Sequence, residues 1–239
     1  MTPNDDILKL NGPILVIGAS GFIGANLLKM LLAARQDVFG SIRGDINHRL
    51  ADVAERNLVR LDLDDRGSIE RTLDALKPAT IFDCSSYGAY SFEEDVSGIY
   101  RTNVQSIVEL VTLLSKAPIA AYVHAGSSSE YGNNSAAPTE DSTLEPNSHY
   151  AVSKVAAAKF LEFMGRDRQF PCANLRLYSI YGPLEDTSRL VPNLVWQALK
   201  GSLPPFVDPS TSRDFVYVDD ACKAFISAAI NMRPEIYGH

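Results

Sequence analysis

Tyr150 and Lys154 stand four positions apart in the segment Tyr150-Ala-Val-Ser-Lys154, which puts both side chains on one face of a helix. A phenol has a reference pKa of about 10 and is a poor acid–base group at neutral pH. An ammonium beside it favours the phenolate and makes the group useful for proton transfer. Pro146-Asn147-Ser148 supplies a helix start signal just upstream. Earlier still, Val123-His124-Ala125-Gly126-Ser127-Ser128-Ser129-Glu130-Tyr131-Gly132 leaves an apolar stretch for a serine-rich loop. A serine hydroxyl there can hold a substrate oxygen next to Tyr150, while at least one of the three serines satisfies loop backbone instead. A tyrosine and lysine at this spacing are common in helices. What gives the pair weight is a phosphate-binding turn in the same chain.

That turn is Ile14-Leu-Val-Ile-Gly18-Ala-Ser20-Gly21-Phe22-Ile23-Gly24, running from an apolar strand straight into a helix. Gly18 permits the tight turn, Gly21 lets backbone approach a pyrophosphate, and Gly24 lets the helix pack closely on the strand. The helix amino terminus then offers free N–H donors and the positive end of its dipole. Ser20, Phe22 and Ile23 complete the expected contact set. The glycine spacing is GxxGxxG rather than GxGxxG, and the strand before and helix after it carry the inference. An acidic residue about 20 positions on would bind the ribose 2′-hydroxyl of NAD. That position is Ile42, followed by Arg43 and preceded by Ser41. A guanidinium suits a phosphate, and no carboxylate repels one, so NADP(H) is preferred with NAD(H) possible. Asp62, with Leu63 beside it, follows the third strand where a carboxylate can accept from an adenine amino group or simply face solvent.

The elements that must position these groups alternate. Strands are expected at Ile14–Ile17, Val38–Ile42, Leu58–Leu61, Thr80–Asp83, Ala120–Ala125 and Ala173–Leu177. Helical spacing marks Ile23–Ala34, Ile69–Leu76, Val104–Ser115 and Ala151–Met164. This is the pattern of an α/β fold, a Rossmann-like doubly wound parallel sheet covered on both faces. After about Leu177 prolines (Pro183, Pro192, Pro204, Pro205, Pro209) break the chain, with helices expected at Leu190–Leu199 and Asp219–Ile230. The division expected is a nucleotide-binding domain over residues 1–177 and a small, incomplete substrate lobe over 178–239, interleaved with the end of the first.

At 239 residues, 46% hydrophobic and 21% charged, the chain is an ordinary globular one, neither disordered nor a coiled-coil rod. A net charge of −7 without a basic run gives no footprint for nucleic acid or an anionic membrane. Cys84, Cys172 and Cys222 are widely spaced and form no CxxC pair, so free thiols in a reducing cytoplasm are expected, without disulfide or metal. Met1–Leu10 carries Asp5 and Asp6 and reads as neither signal peptide nor anchor.

Together, the glycine turn, the serine loop ending Tyr131-Gly132 and the Tyr150/Lys154 pair resemble the extended short-chain dehydrogenases/reductases, more narrowly the nucleotide-sugar epimerase/dehydratase group. Asn103-Val104 at a helix start, Arg176-Leu-Tyr-Ser-Ile-Tyr181-Gly182-Pro183 and Ser212-Arg213-Asp214-Phe-Val-Tyr-Val-Asp219-Asp220 extend the match over essentially the whole chain. The resemblance implies that Tyr150 exchanges a proton with the oxygen on the reacting carbon. It implies that Lys154 lowers the tyrosine pKa and holds the nicotinamide ribose. The hydroxyl residue four before the Tyr-Gly tyrosine becomes Ser127, with Ser128 in reserve; Arg213 would grip the nucleotide diphosphate, helped by Arg189. It also implies a homodimer through Val104–Ser115 and Ala151–Met164, and a further strand where the chain reaches Glu235–His239.

Departures from the group narrow the reaction. The 4,6-dehydratases carry Asp-Glu directly after the hydroxyl residue, where this chain has Ser128 and Ser129, with Glu130 displaced by one. The 4-epimerases keep the NAD-binding acidic residue that Ile42 and Arg43 replace. The expectation is an NADP(H)-dependent oxidoreductase acting on a nucleotide-diphosphate sugar, reducing a 4-keto-6-deoxyhexose with Tyr150 as proton donor. The alternatives are a 4-epimerase that retains its NAD(P) and a non-catalytic NADP(H)-binding protein.

Overall fold

The protein is described by a computed structural model over residues 3–90, 93–202 and 213–239; Pro204, Pro205, Pro209 and Ser212 lie outside the described residues. A short helix α1 (Pro3–Ile7) precedes β1 (Ile14–Ile17), α2 (Phe22–Leu32) and β2 (Val38–Ile42). Then come β3 (Leu58–Arg60), α3 (Arg66–Leu76) and β4 (Thr80–Asp83). The next helix enters earlier than its apolar spacing suggests: α4 (Val96–Tyr100) runs through a π-helical turn at Arg101–Gln105 into α5 (Ser106–Leu114). Asn103 therefore sits within a helix rather than at its start. β5 (Ala121–Ser127), α6 (His149–Arg168) and β6 (Cys172–Leu177) complete the main sheet. β7 (Ser179–Tyr181), α7 (Leu190–Leu199), β8 (Phe215–Tyr217) and α8 (Val218–Ile230) follow.

Six parallel strands lie in the order β3-β2-β1-β4-β5-β6, the doubly wound Rossmann-like arrangement. β1 and β4 are buried along their whole length, as a strand covered on both faces must be. One face is closed by α2 and α8, with Leu27, Leu28, Leu31, Phe225 and Ile226 packed on Val16, Phe82 and Val123. The other is closed by α3, α5 and α6, with Ile69, Ile107, Leu110 and Leu161 on Leu15, Ile81 and Tyr122. Strand order reverses between β1 and β4, and a crevice opens at their carboxyl ends, where such folds bind ligands. β7 and β8 form a separate parallel pair of three residues each, which no local pattern announces.

Candidate active site

The glycine turn sits at that reversal. Gly18 has φ +72°, and a Cβ on it would lie 2.9 Å from the Cys84 carbonyl and the Ser85 nitrogen after β4. A Cβ on Gly24 would lie 2.3 Å from the Gly18 oxygen, so the first turn of α2 rests directly on the loop. Gly21 caps the helix without a side-chain hydrogen bond, which leaves the first N–H groups of α2 free for a ligand. Ser41 lines the groove, and its buried hydroxyl accepts the Gly18 N–H at 3.1 Å and braces the turn.

A groove of about 460 Å³ opens over the turn, lined by Gly18, Ser20, Gly21, Arg43, Asp62 and Leu63 among others. Ile42 is 4% exposed and belongs to the core, whereas Arg43 is exposed at the groove wall. Phe22, Ile23 and Gly24 lie in α2 behind the turn. The groove continues past Ser85, Ser86 and Tyr87 to Arg101 and Thr102, contributors the sequence reasoning missed. Their signal was positional: the loop after β4 must lie beside the strand-order reversal.

α6 carries Tyr150 and Lys154. Ser148 caps it, its hydroxyl accepting the Ala151 N–H at 3.1 Å. Lys154 is 1% exposed; its Nζ donates to the Ala125 carbonyl at 2.9 Å and lies 5.9 Å from the centre of the half-buried Tyr150 ring. One ammonium donor is thus spent on β5 and the others remain. Asn103 locks the helix in place: its amide donates to the Tyr87 carbonyl (2.7 Å) and the Ser153 hydroxyl (3.0 Å), while its oxygen accepts the Tyr87 N–H (2.9 Å).

Ser127 ends β5. Its hydroxyl accepts the Ser129 N–H at 3.1 Å, an arrangement that leaves the hydroxyl proton to donate, and Ser128 follows it, half-buried. Glu130 is turned away from this edge and is fully buried. It accepts the Ser127 N–H (2.9 Å), pairs with Arg176 (2.7 Å) and receives the Asn174 amide (3.3 Å). Both carboxylate oxygens are consumed structurally. Arg189 stacks 4.3 Å over the Tyr90 ring and reaches the Ala89 carbonyl at 3.5 Å. Arg213 is an exposed residue leading into β8. Neither arginine lines the groove over the glycine turn. His149 meets the Tyr100 hydroxyl at 3.2 Å, and His124 is wholly buried.

Residues 14–237 match the NAD dependent epimerase/dehydratase family. The chain belongs to this family. A UDP-glucose 4-epimerase of Mycolicibacterium smegmatis is 31% identical over 226 residues, covering 90% of this chain and 72% of the relative. A probable dTDP-glucose 4,6-dehydratase of Sinorhizobium fredii is 27% identical, covering 88% and 66%. Among solved structures, the dTDP-glucose 4,6-dehydratase DesIV of Streptomyces venezuelae, with NAD bound, superposes at a TM-score of 0.80 with 28% identity, covering 92% of this chain and 72% of that one. This family member is therefore an extended short-chain dehydrogenase/reductase that uses a nicotinamide cofactor in nucleotide-sugar chemistry. No helix among its described residues is long and apolar enough to cross a membrane.

Proposed function

We propose that the protein is an NADP(H)-dependent reductase of a nucleotide-linked 4-keto-6-deoxyhexose. The observation that carries this reading is the buried Ile42 beside the exposed, groove-lining Arg43, where an NAD-specific enzyme of this fold places a carboxylate. The glycine turn and the open amino terminus of α2 fit a pyrophosphate, Arg43 a ribose 2′-phosphate, and Asp62 with Leu63 the adenine end. A nicotinamide bound in the groove supplies the hydride.

The chain's own residues do the rest. Ser127 donates a hydrogen bond from its hydroxyl to the substrate carbonyl oxygen and fixes its orientation, with Ser128 alongside. Tyr150 delivers a proton to that oxygen as negative charge develops on it. Lys154, held against Ala125, lowers the cost of the phenolate left behind and holds the cofactor ribose. Donors set in advance at the developing alkoxide favour the transition state over the ketone. Arg213 and Arg189 bind the nucleotide diphosphate. Sequestration of Glu130 by Arg176 leaves no carboxylic acid after Ser127 to expel a hydroxyl, which supports reduction over 4,6-dehydration.

A 4-epimerase with a retained cofactor is the second reading, favoured by the 31% identical relative. In either case residues 1–177 bind cofactor and 178–239 contribute to the substrate side, in a cytoplasmic homodimer formed through α5 and α6. The test is NADPH absorbance with purified protein and a panel of nucleotide-linked 4-keto-6-deoxy sugars. Stoichiometric loss of NADPH with one sugar is expected; unchanged NADPH with an altered sugar epimer establishes the second reading instead.

A further inference from the structure

One wall of the groove is the loop leaving β4, residues 84–87, and buried side chains hold it at both ends. At the far end Asn103 accepts the Tyr87 N–H and donates to the Tyr87 carbonyl. At the near end stands Asp83, the last residue of β4, fully buried. One of its carboxylate oxygens accepts both the N–H (2.9 Å) and the hydroxyl (2.6 Å) of Ser85. The other accepts the Tyr122 hydroxyl from β5 at 2.6 Å. Ser86, left between the two anchored residues, is exposed and lines the groove.

Burying a carboxylate is expensive, and no lysine or arginine among the described residues pairs with Asp83. An apolar side chain at the end of β4 would avoid that cost. What an apolar side chain cannot do is accept two hydrogen bonds from one loop residue. The loop it holds has no slack against the glycine turn: the Cys84 carbonyl and the Ser85 nitrogen lie where a Cβ on Gly18 would be only 2.9 Å away. Ser41 braces the same turn from β2 through the Gly18 N–H. Gly18 is thus gripped from both neighbouring strands, and Asp83 fixes the β4 side of that grip.

We propose that Asp83 is a positioning residue of the cofactor site: by accepting both donors of Ser85 it fixes the loop against Gly18 and sets the groove wall before a cofactor arrives. This rests on the cofactor occupying that groove, as proposed above. The acceptor oxygen matters and the charge does not, so an amide at position 83, whose oxygen can accept the same two donors, should serve in its place.

Two measurements on the full chain test this without a sugar substrate: NADP⁺ affinity by isothermal titration calorimetry, and amide hydrogen exchange over residues 84–87 in the absence of cofactor. NAD⁺ is titrated in parallel, so that the preference assigned to Arg43 is read separately. Well below its melting temperature, Asp83→Ala is expected to weaken cofactor binding about tenfold or more and to speed exchange in the loop by a similar factor. Asp83→Asn should stay within about threefold of the parent in both. Tyr122→Phe removes the bond to the other oxygen and should also stay within about threefold, even where it lowers the melting temperature, which separates a weakened core from a misplaced loop. The double variant Asp83→Ala/Tyr122→Phe leaves no phenol unpaired; it should repeat the losses of Asp83→Ala and replaces that variant if the single one does not fold. Parent-like binding or parent-like exchange in these alanine variants overturns the proposal. So do equal losses in Asp83→Asn or in Tyr122→Phe. Gly21→Asp, which sets a carboxylate against the bound pyrophosphate, should abolish binding. Normal binding by Gly21→Asp removes the groove reading and the role of Asp83 with it, whereas loss in Gly21→Asp with normal binding by Asp83→Ala removes only the role of Asp83.

Discussion

The proposed NADP(H) preference turns on the Arg43 guanidinium and on the absence of a carboxylate at Ile42. A charge-assisted hydrogen bond contributes about 1.5–3 kcal/mol, roughly one to two powers of ten in affinity. Arg43→Ala is expected to raise the KM for NADPH by about 10–100-fold and leave that for NADH nearly unchanged, as steady-state kinetics with both cofactors will show. Tyr150→Phe keeps the ring and loses the proton; kcat should fall by about 10²–10⁴, the ordinary worth of a positioned acid, while calorimetry shows cofactor affinity within a few fold. Deeper in the core, burial would raise the Asp83 carboxyl, but contact with His124 and the donors of Ser85 and Tyr122 hold it at about 2. Its contribution to stability is complete above the ordinary value of 3.8 and is lost as pH falls from there toward 2. His124 is depressed below its ordinary 6.5, so the unfolded chain takes up the proton first and stability falls as pH drops through 6.5. Urea midpoints measured between pH 7.5 and 5 should decline in the parent protein and stay flatter in His124→Leu.

Elements carry the next set of constraints. α2 touches its own glycine turn so closely that any side chain at position 24 displaces one from the other. Gly24→Ala should lower the unfolding free energy by about 1–3 kcal/mol, the usual cost of overpacking, and weaken cofactor binding in parallel. The turn after β5 depends on the Glu130–Arg176 pair, whose carboxylate is fully buried and whose guanidinium side chain is 22% exposed. Arg176→Met leaves that carboxylate uncompensated, and an equilibrium urea titration should register a loss of about 3–5 kcal/mol. The strand–helix alternation was legible in the chain because apolar β-branched runs such as Ile14–Ile17 and Thr80–Asp83 are buried on both faces and stand out from their surroundings. α4 escaped notice because Val96–Tyr100 is five residues long and contains Gly98, a poor helix former, so its helical state comes from α6 and the Asn103 network.

For the whole molecule, exposed apolar side chains occur on α4 (Val96), α5 (Val108) and α6 (Val152 and Phe163), and also on α7 (Leu190, Val195, Trp196 and Leu199). Those on α5 and α6 suit the proposed dimer interface. Val108→Glu combined with Val152→Glu should convert a dimer to a monomer in analytical ultracentrifugation, since buried like charges across a symmetric interface are strongly unfavourable.

The sequence alone determined the doubly wound α/β class, the glycine-rich turn and the spacing of Tyr150 and Lys154, because each is a local pattern: short apolar runs alternating with segments of period 3.6, glycines at a strand end, and two side chains one helical turn apart. It could point to Arg43 and Asp62, since they stand at strand ends whose place in the fold is fixed, while the choice of Ser127 among three serines came from the family resemblance. It also showed Glu130 displaced from the dehydratase pattern. Where that carboxylate goes was decided by tertiary structure, because its partners Arg176 and Asn174 lie more than forty positions away on β6. Pairing of β7 with β8, the bracing of Gly18 by Ser41, the juxtaposition of Asp83 and His124 and the seating of Lys154 on the Ala125 carbonyl were settled the same way. Each is a contact between residues far apart in the chain. Such contacts depend on strand order and helix packing, and local spacing carries no information about them.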